Sequence, residues 1–132
     1  MKATDEEVID RFERKLTGED AFRHADHVRL AFAYLAQYPV LEALGRFAIA
    51  LQRFAVSRGK SELYNETITY AYFFLIRERM ARTTGTDWDE FARGNPDLLV
   101  WNDGILNRYY RGETLQSDFA RSVFTFPDKF CP

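Results

Sequence analysis

The sequence predicts an all-α fold: a helical bundle of three to four long helices with an aromatic-rich C-terminal wrap of short helices. Each long apolar segment repeats at three- and four-residue intervals, which is the spacing of one face of a helix. No alternating run of polar and apolar residues is long enough for a sheet. The 132 residues are expected to form a single all-α domain, 1–132, because two domains would each lack the apolar surface for a core.

The first two helices are predicted over about residues 5–16 and 20–37. Thr4 and Glu7 have the spacing of a capping box, in which each side chain accepts a hydrogen bond from the other residue's backbone N–H. The second helix is expected to end before Pro39, since a residue that precedes proline avoids the helical conformation.

A third helix is predicted over about residues 40–57, followed by a central fourth helix over 61–81 that Ser61 would cap. The fourth helix is apolar on nearly every side, with Phe73 on one side and Leu75 on the opposite side. We therefore expect it to be surrounded by the rest of the chain. Short loops join helices two to four, which favours an antiparallel arrangement of neighbours.

Beyond the fourth helix the sequence predicts short helices separated by turns. Thr86 or Asp87 can cap the first of them. Asn95 followed by Pro96 has the order that opens another turn, and Ser117 can cap the last. These pieces are expected to lay seven aromatic side chains across the bundle: Trp88, Trp101, Tyr109, Tyr110, Phe119, Phe124 and Phe126.

Composition and charge exclude several classes of function. The net charge is −2 and both signs are interspersed, so there is no basic stripe for a nucleic acid backbone. No apolar run reaches the roughly 18 residues of a membrane span. The single cysteine, Cys131, and an N-terminus without the features of a signal peptide favour a cytoplasmic protein. A small-molecule ligand and a homodimer are both left open.

Both histidines occur in one stretch of the predicted second helix. Asp20, His24 and His27 project onto one side of that helix within two turns. If helices two and four are adjacent and parallel, the histidines lie level with Glu66 on helix four. Two imidazoles and a carboxylate are a ligand set for a divalent transition metal such as Fe, Mn or Zn. The sequence therefore predicts a metal site at His24, His27 and Glu66.

This site supports two functional hypotheses. The first is a metal-dependent enzyme that acts on a small molecule, with Glu66 and Tyr70 as catalytic residues, since Tyr70 lies one turn after Glu66. The second is a non-catalytic binding or oligomerisation module in which the same groups form a structural buried polar cluster. A histidine on an apolar helix face is more often a core residue bonded to a carbonyl or carboxylate than a metal ligand.

Three arginines form a second candidate constellation. Arg46 and Arg53 lie two turns apart on one side of helix three, and Arg77 is predicted on the inward side of helix four. Arg46 and Arg77 could bind an anionic substrate through paired N–H donors. The structural alternative is ion pairing, because Glu42 and Arg46 have the i, i+4 spacing of a common helix pair. No nucleophile motif or glycine-rich phosphate loop is present.

Overall fold

The computed structural model describes residues 3–14, 22–83, 85 and 87–129. It confirms the all-α fold, since no residue in those ranges belongs to a strand. Four longer helices come first: α1 (Asp5–Glu13), α2 (His24–Gln37), α3 (Val40–Ser57) and α4 (Glu66–Arg82). None of the helices that the structure describes is long and apolar enough to cross a membrane.

Short elements follow α4, as predicted. The α-helices are α5 (Trp88–Gly94), α6 (Gly112–Leu115) and α7 (Asp118–Ser122). Two 3-10 turns, Pro96–Leu99 and Ile105–Arg108, lie between α5 and α6, and a third, Ser61–Leu63, precedes α4.

Local capping sets most of these boundaries. Thr4 and Glu7 form the expected capping box at α1, with hydrogen bonds of 3.1 and 3.2 Å. Asp87 caps α5 by accepting from the Glu90 N–H, and Ser117 caps α7. Each cap satisfies an N–H that the first turn of a helix leaves without an internal partner. These short-range predictions are confirmed because they depend only on neighbouring residues.

Two predicted helix starts are wrong. The second helix begins at His24, and Arg23 before it is extended, so the helix is shorter than the 20–37 expected. Asp20 lies outside the described residues. The central helix begins at Glu66, where Asn65 is the cap and accepts from the Ile68 N–H at 2.9 Å. Ser61 starts a separate 3-10 turn instead.

The core lies between α2, α3 and α4, and α2 contacts both of the others as well as α1. Its largest fully buried side chains include Tyr34, Phe73, Tyr110 and Phe91. Phe73 packs against Phe47 with ring centroids 5.8 Å apart, which joins α4 to α3. The fourth helix is central, but it is not enclosed on every side: Phe74 is 44% exposed and Arg77 is exposed.

The C-terminal part shares the apolar core of the bundle and is also held to it by polar contacts. Thr67, fully buried at the start of α4, donates to the Ala120 carbonyl at 2.7 Å and accepts from the Thr125 N–H at 3.1 Å. Arg79 forms a bidentate pair with Asp97, with N–O distances of 3.0 and 2.8 Å. The aromatic wrap is thus only partly apolar.

The seven aromatic residues of the wrap differ in burial. Tyr110 is buried and Trp88 packs against the Phe32 ring at 5.4 Å. Four others are 40% exposed or more, so the expectation that all of them pack across the bundle is wrong: Trp101, Tyr109, Phe119 and Phe126.

Candidate functional site

An open polar cavity of about 420 Å³ lies where α3, α4 and α7 approach one another. Its lining comes from four separate parts of the chain: the last turns of α3, the 3-10 turn that precedes α4, the first turn of α4, and α7. The lining residues are Gln52, Ser61, Glu62, Tyr64, Glu66, Arg121 and Ser122. Of the residues predicted to carry chemistry, Glu66 lies in this cavity.

Asn65 fixes the geometry at the start of α4. Its side-chain oxygen caps the helix, and its amide nitrogen donates to the Leu115 carbonyl at 2.7 Å. With both bonds in place, the backbone is extended at Tyr64 and enters α4 at Glu66. As a result, these two side chains border the same cavity.

The Tyr64 hydroxyl is buried and has no hydrogen-bond partner of normal geometry in the part of the chain that the structure describes. Burial raises the pKa of Tyr64, and the neighbouring side chains of Gln52 and Thr69 offset this in part. A buried hydroxyl without a partner costs about 1 to 3 kcal/mol. A ligand or water molecule in the cavity could remove this cost by supplying the missing bond.

Glu66 and Tyr70 are close to each other, as the one-turn spacing predicts. Burial raises the pKa of Tyr70, and the Glu66 carboxylate raises it further. The Tyr70 ring also stacks on Phe124, with centroids 5.8 Å apart, and so lies under the C-terminal segment. A phenol with a raised pKa keeps its proton at neutral pH, which makes it a hydrogen-bond donor and a poor general base.

The charges around the cavity are unequal. Glu62 and Glu66 contribute two carboxylates. Arg121 contributes one guanidinium, and this group already pairs with the fully exposed Asp118 at 2.9 Å. The cavity therefore presents an excess of negative charge beside a phenol, an amide and two serine hydroxyls.

His24 is bonded to the backbone of the C-terminal part of the chain. Its Nε2 lies 2.8 Å from the Leu98 carbonyl, and because a carbonyl can only accept, Nε2 carries the proton. The ring packs against Tyr72 at 4.7 Å and Trp101 at 5.2 Å. Burial lowers the pKa of His24, and the Leu98 carbonyl partly offsets this. The hydrogen bond leaves only Nδ1 free to bind a metal.

His27 packs against a different aromatic residue: its ring centroid lies 4.3 Å from that of Phe22. Burial lowers the pKa of His27 to about 4, and repulsion from His24 contributes to the shift. The ring is therefore neutral at physiological pH.

The structure does not bring the predicted metal ligands together. His24 packs against Tyr72, which lies nearly two turns beyond Glu66 on α4, so the expectation that Glu66 is level with the histidines is wrong. Among the described residues, no group of three or more His, Cys, Asp or Glu side chains is placed to hold a metal ion. The metal hypothesis remains a prediction, with no assembled ligand set in the described ranges.

The predicted anion-binding arginines lie at the opposite end of α4. Arg46 pairs with Glu42 at 2.9 Å, as the structural alternative predicts, and its guanidinium lies 4.3 Å from the Tyr38 ring centroid. Arg77 is exposed, so its predicted inward orientation is wrong, yet it borders Tyr38 in a second cavity of about 290 Å³. Arg53 is exposed on α3.

Sequence patterns could not identify most of the cavity. Arg121 and Gln52 reach it from helices that are distant in sequence, and neither belongs to a recognisable motif. Tyr64 was predicted inside the central helix, whereas it lies two residues before the start of α4. Its lack of a partner depends on the tertiary packing around it.

No family model matches the chain, and neither a curated protein nor a solved structure matches it.

Proposed function

We propose that this protein is a non-catalytic binding module that takes a small organic cation carrying hydroxyl groups in the cavity at the start of α4. The observation that carries the proposal is the buried Tyr64 hydroxyl, which has no hydrogen-bond partner of normal geometry among the described residues and belongs to the wall of a cavity that also contains Glu66. A ligand hydroxyl would complete the hydrogen bonding of Tyr64, and a ligand ammonium group would pair with the carboxylates.

Three features support binding rather than catalysis. The raised pKa of Tyr70 keeps its proton in place beside Glu66. His24 is occupied by the Leu98 carbonyl, and His27 packs against Phe22, so both fit the structural cluster of the second hypothesis. The cavity is open, which suits reversible binding but gives little exclusion of water.

The charge of the ligand can be tested with three sugars of nearly equal size: glucosamine, glucose and glucuronate. Backbone amide shifts in NMR titrations should show saturable binding of glucosamine at residues around the cavity, weaker binding of glucose, and none of glucuronate. Glu66→Gln and Tyr64→Phe should each weaken glucosamine binding about tenfold, since one charged or buried hydrogen bond is worth about 1.4 kcal/mol or more.

Glu78→Gln is the matched control, because Glu78 lies on the same helix but pairs with Arg82 in an exposed position. It should leave glucosamine binding unchanged. Equal binding of all three sugars, or shifts remote from the cavity, would contradict the proposal.

The same samples test the metal hypothesis. Titration with Fe, Mn or Zn, followed by elemental analysis, would support a metal-dependent enzyme if one equivalent is retained and is lost in both His24→Ala and Glu66→Ala. Loss of the metal in His24→Ala but not in Glu66→Ala would indicate a site that uses His24 without Glu66.

A further inference from the structure

The outer face of α3 carries a continuous stripe that the described part of the chain does not cover. The stripe contains two polar or small positions and three large apolar residues: Leu41, Gly45, Ile49, Gln52 and Val56. The apolar members are 73%, 50% and 64% exposed, respectively. At 100° per residue the five positions fall within an arc of about 80°. The opposite face of α3 is the one that packs in the core, through Ala43, Phe47 and Leu51.

We propose that a second copy of this chain covers this stripe, with the two α3 helices packed antiparallel across a two-fold axis beside Ile49. Leu41, Ile49 and Val56 lie outside the ligand cavity proposed above, whereas Gln52 borders both surfaces.

The spacing of the stripe is compatible with self-pairing. Leu41 lies eight residues before Ile49, and Val56 lies seven residues after it. An antiparallel two-fold arrangement therefore sets Leu41 of each copy against Val56 of the other and brings the two Ile49 side chains together. Such an interface is isologous, with the same surface patch contributed by both copies.

Gly45 also fits this arrangement. A glycine in a helix interior costs about 1 kcal/mol relative to alanine, and no atom lies within 4 Å of a Cβ added at Gly45. Gly45 therefore leaves a gap between the larger side chains of the stripe, where the backbone is exposed. The antiparallel arrangement places Gln52 of the second copy over it, because both residues lie three to four positions from the axis, and the amide can reach the exposed backbone.

The charges beside the stripe favour the antiparallel orientation. Glu42 and Arg46 lie near the start of α3, whereas Arg53 lies near its end and has no ion-pair partner in the described chain. Antiparallel packing places Arg53 of one copy within reach of Glu42 of the other. Parallel packing would instead place each charged residue level with its own counterpart, which is unfavourable for like charges.

The interface is limited in size. An 18-residue helix is about 27 Å long, and one pair of such helices buries less than the roughly 800 Å² per partner of a standard interface. We therefore expect a reversible dimer whose population depends on concentration.

Sedimentation velocity over about 1 μM to 1 mM tests the proposal, since that range spans weak self-association. The wild-type chain should shift from monomer to dimer, and Ile49→Glu should raise the dissociation constant about tenfold or more by placing two carboxylates at the axis. Phe126→Glu is the matched control, because Phe126 is 80% exposed but lies outside α3; this variant should dimerise normally.

Disulfide trapping then tests the orientation, in a Cys131→Ser background. Oxidation should link Leu41→Cys protein to Val56→Cys protein in a mixture, and neither variant should link to itself. A chain that stays monomeric throughout the range would overturn the proposal, as would a dimer that Ile49→Glu leaves intact or trapping of Leu41→Cys with itself. None of these results depends on glucosamine binding, so this proposal and the ligand proposal can fail separately.

Discussion

His27 is a partly buried ring whose protonation opposes folding. Above about pH 6.5 the imidazole is neutral in both the folded and the unfolded chain. Below that pH the unfolded chain takes up a proton, whereas the folded protein, in which the pKa is about 4, does not. The free energy of unfolding therefore falls as the pH falls through this window.

We expect the free energy of unfolding to drop by about 1 to 2 kcal/mol between about pH 7 and pH 5, because one proton is excluded from the folded state. Urea denaturation at several pH values measures this drop. His27→Gln should remove most of it. His24 has a lowered pKa as well, so His24→Gln should remove a smaller share. A drop of the same size in the double variant would assign it to carboxylates instead.

The helical projection identified correctly that both histidines lie on a partly buried side of α2, but it could not identify their partners. The Leu98 carbonyl that binds His24 is 74 residues away in sequence. A backbone carbonyl has no side-chain signature, so no pattern could distinguish this bond from metal ligation. The predicted metal site also assumed that the first turns of α2 and α4 lie at the same height in the bundle. That height depends on how the two helices pack together, which the sequence of either helix alone does not show.

Adjacent positions on α4 show how sharply burial can change along a helix. Phe73 is fully buried against Phe47, while Phe74 is 44% exposed. Turning the helix by one residue, about 100°, is enough to move a ring from the core to its edge.

Phe73→Ala should lower the free energy of unfolding by about 3 to 5 kcal/mol, because it removes transfer energy and leaves a cavity. The neighbouring variant Phe74→Ala is the matched control and should cost about 1 kcal/mol, since much of that ring is already in water. Chemical denaturation measures both. Equal losses of unfolding free energy in the two variants would mean that Phe73 is no more buried than Phe74.

Thr67 connects α4 to the C-terminal segment through one hydroxyl. Thr67→Val preserves the shape but leaves the Ala120 carbonyl and the Thr125 N–H without their partner, so it should destabilise the protein by about 1 to 3 kcal/mol. Thr125→Val removes a hydroxyl that donates to the Val123 carbonyl at 3.1 Å in a position exposed to water, so it should cost less than about 0.5 kcal/mol. Thermal melts of the two variants provide the comparison. A Thr67→Val protein as stable as the wild type would contradict this role.

At the scale of the whole molecule, the bundle and its C-terminal wrap should unfold together. Both tryptophans belong to the later part: Trp88 packs on Phe32 of α2, and Trp101 packs on His24. Tryptophan fluorescence therefore reports mainly on the wrap, whereas far-ultraviolet circular dichroism reports mainly on the long helices.

We expect the two signals to give the same midpoint and slope in urea, as they do for a two-state domain. The reason is that Arg79 and Thr67 bind the wrap from opposite ends of α4. Fluorescence that changes at a lower urea concentration than dichroism would show that the wrap detaches first and that the chain is not one cooperative unit.

Fold class could be predicted because helix periodicity, caps and prolines act over a few residues. The third helix was predicted from residues 40 to 57, and it is observed over that range. The cavity at the start of α4 could not be predicted in the same way, since Gln52 and Arg121 meet there only after three helices have packed.

The contact between Thr67 and Thr125 joins residues 58 positions apart, and the later one is synthesised after the whole of α4. A ribosome releases the chain from its N-terminus, so α4 can form while the backbone groups that its first turn binds are still being translated. The Thr67 hydroxyl lacks these partners until translation has passed residue 125. The nascent chain therefore cannot close this end of the bundle before then, and a stall in translation between α4 and Thr125 would leave that end open.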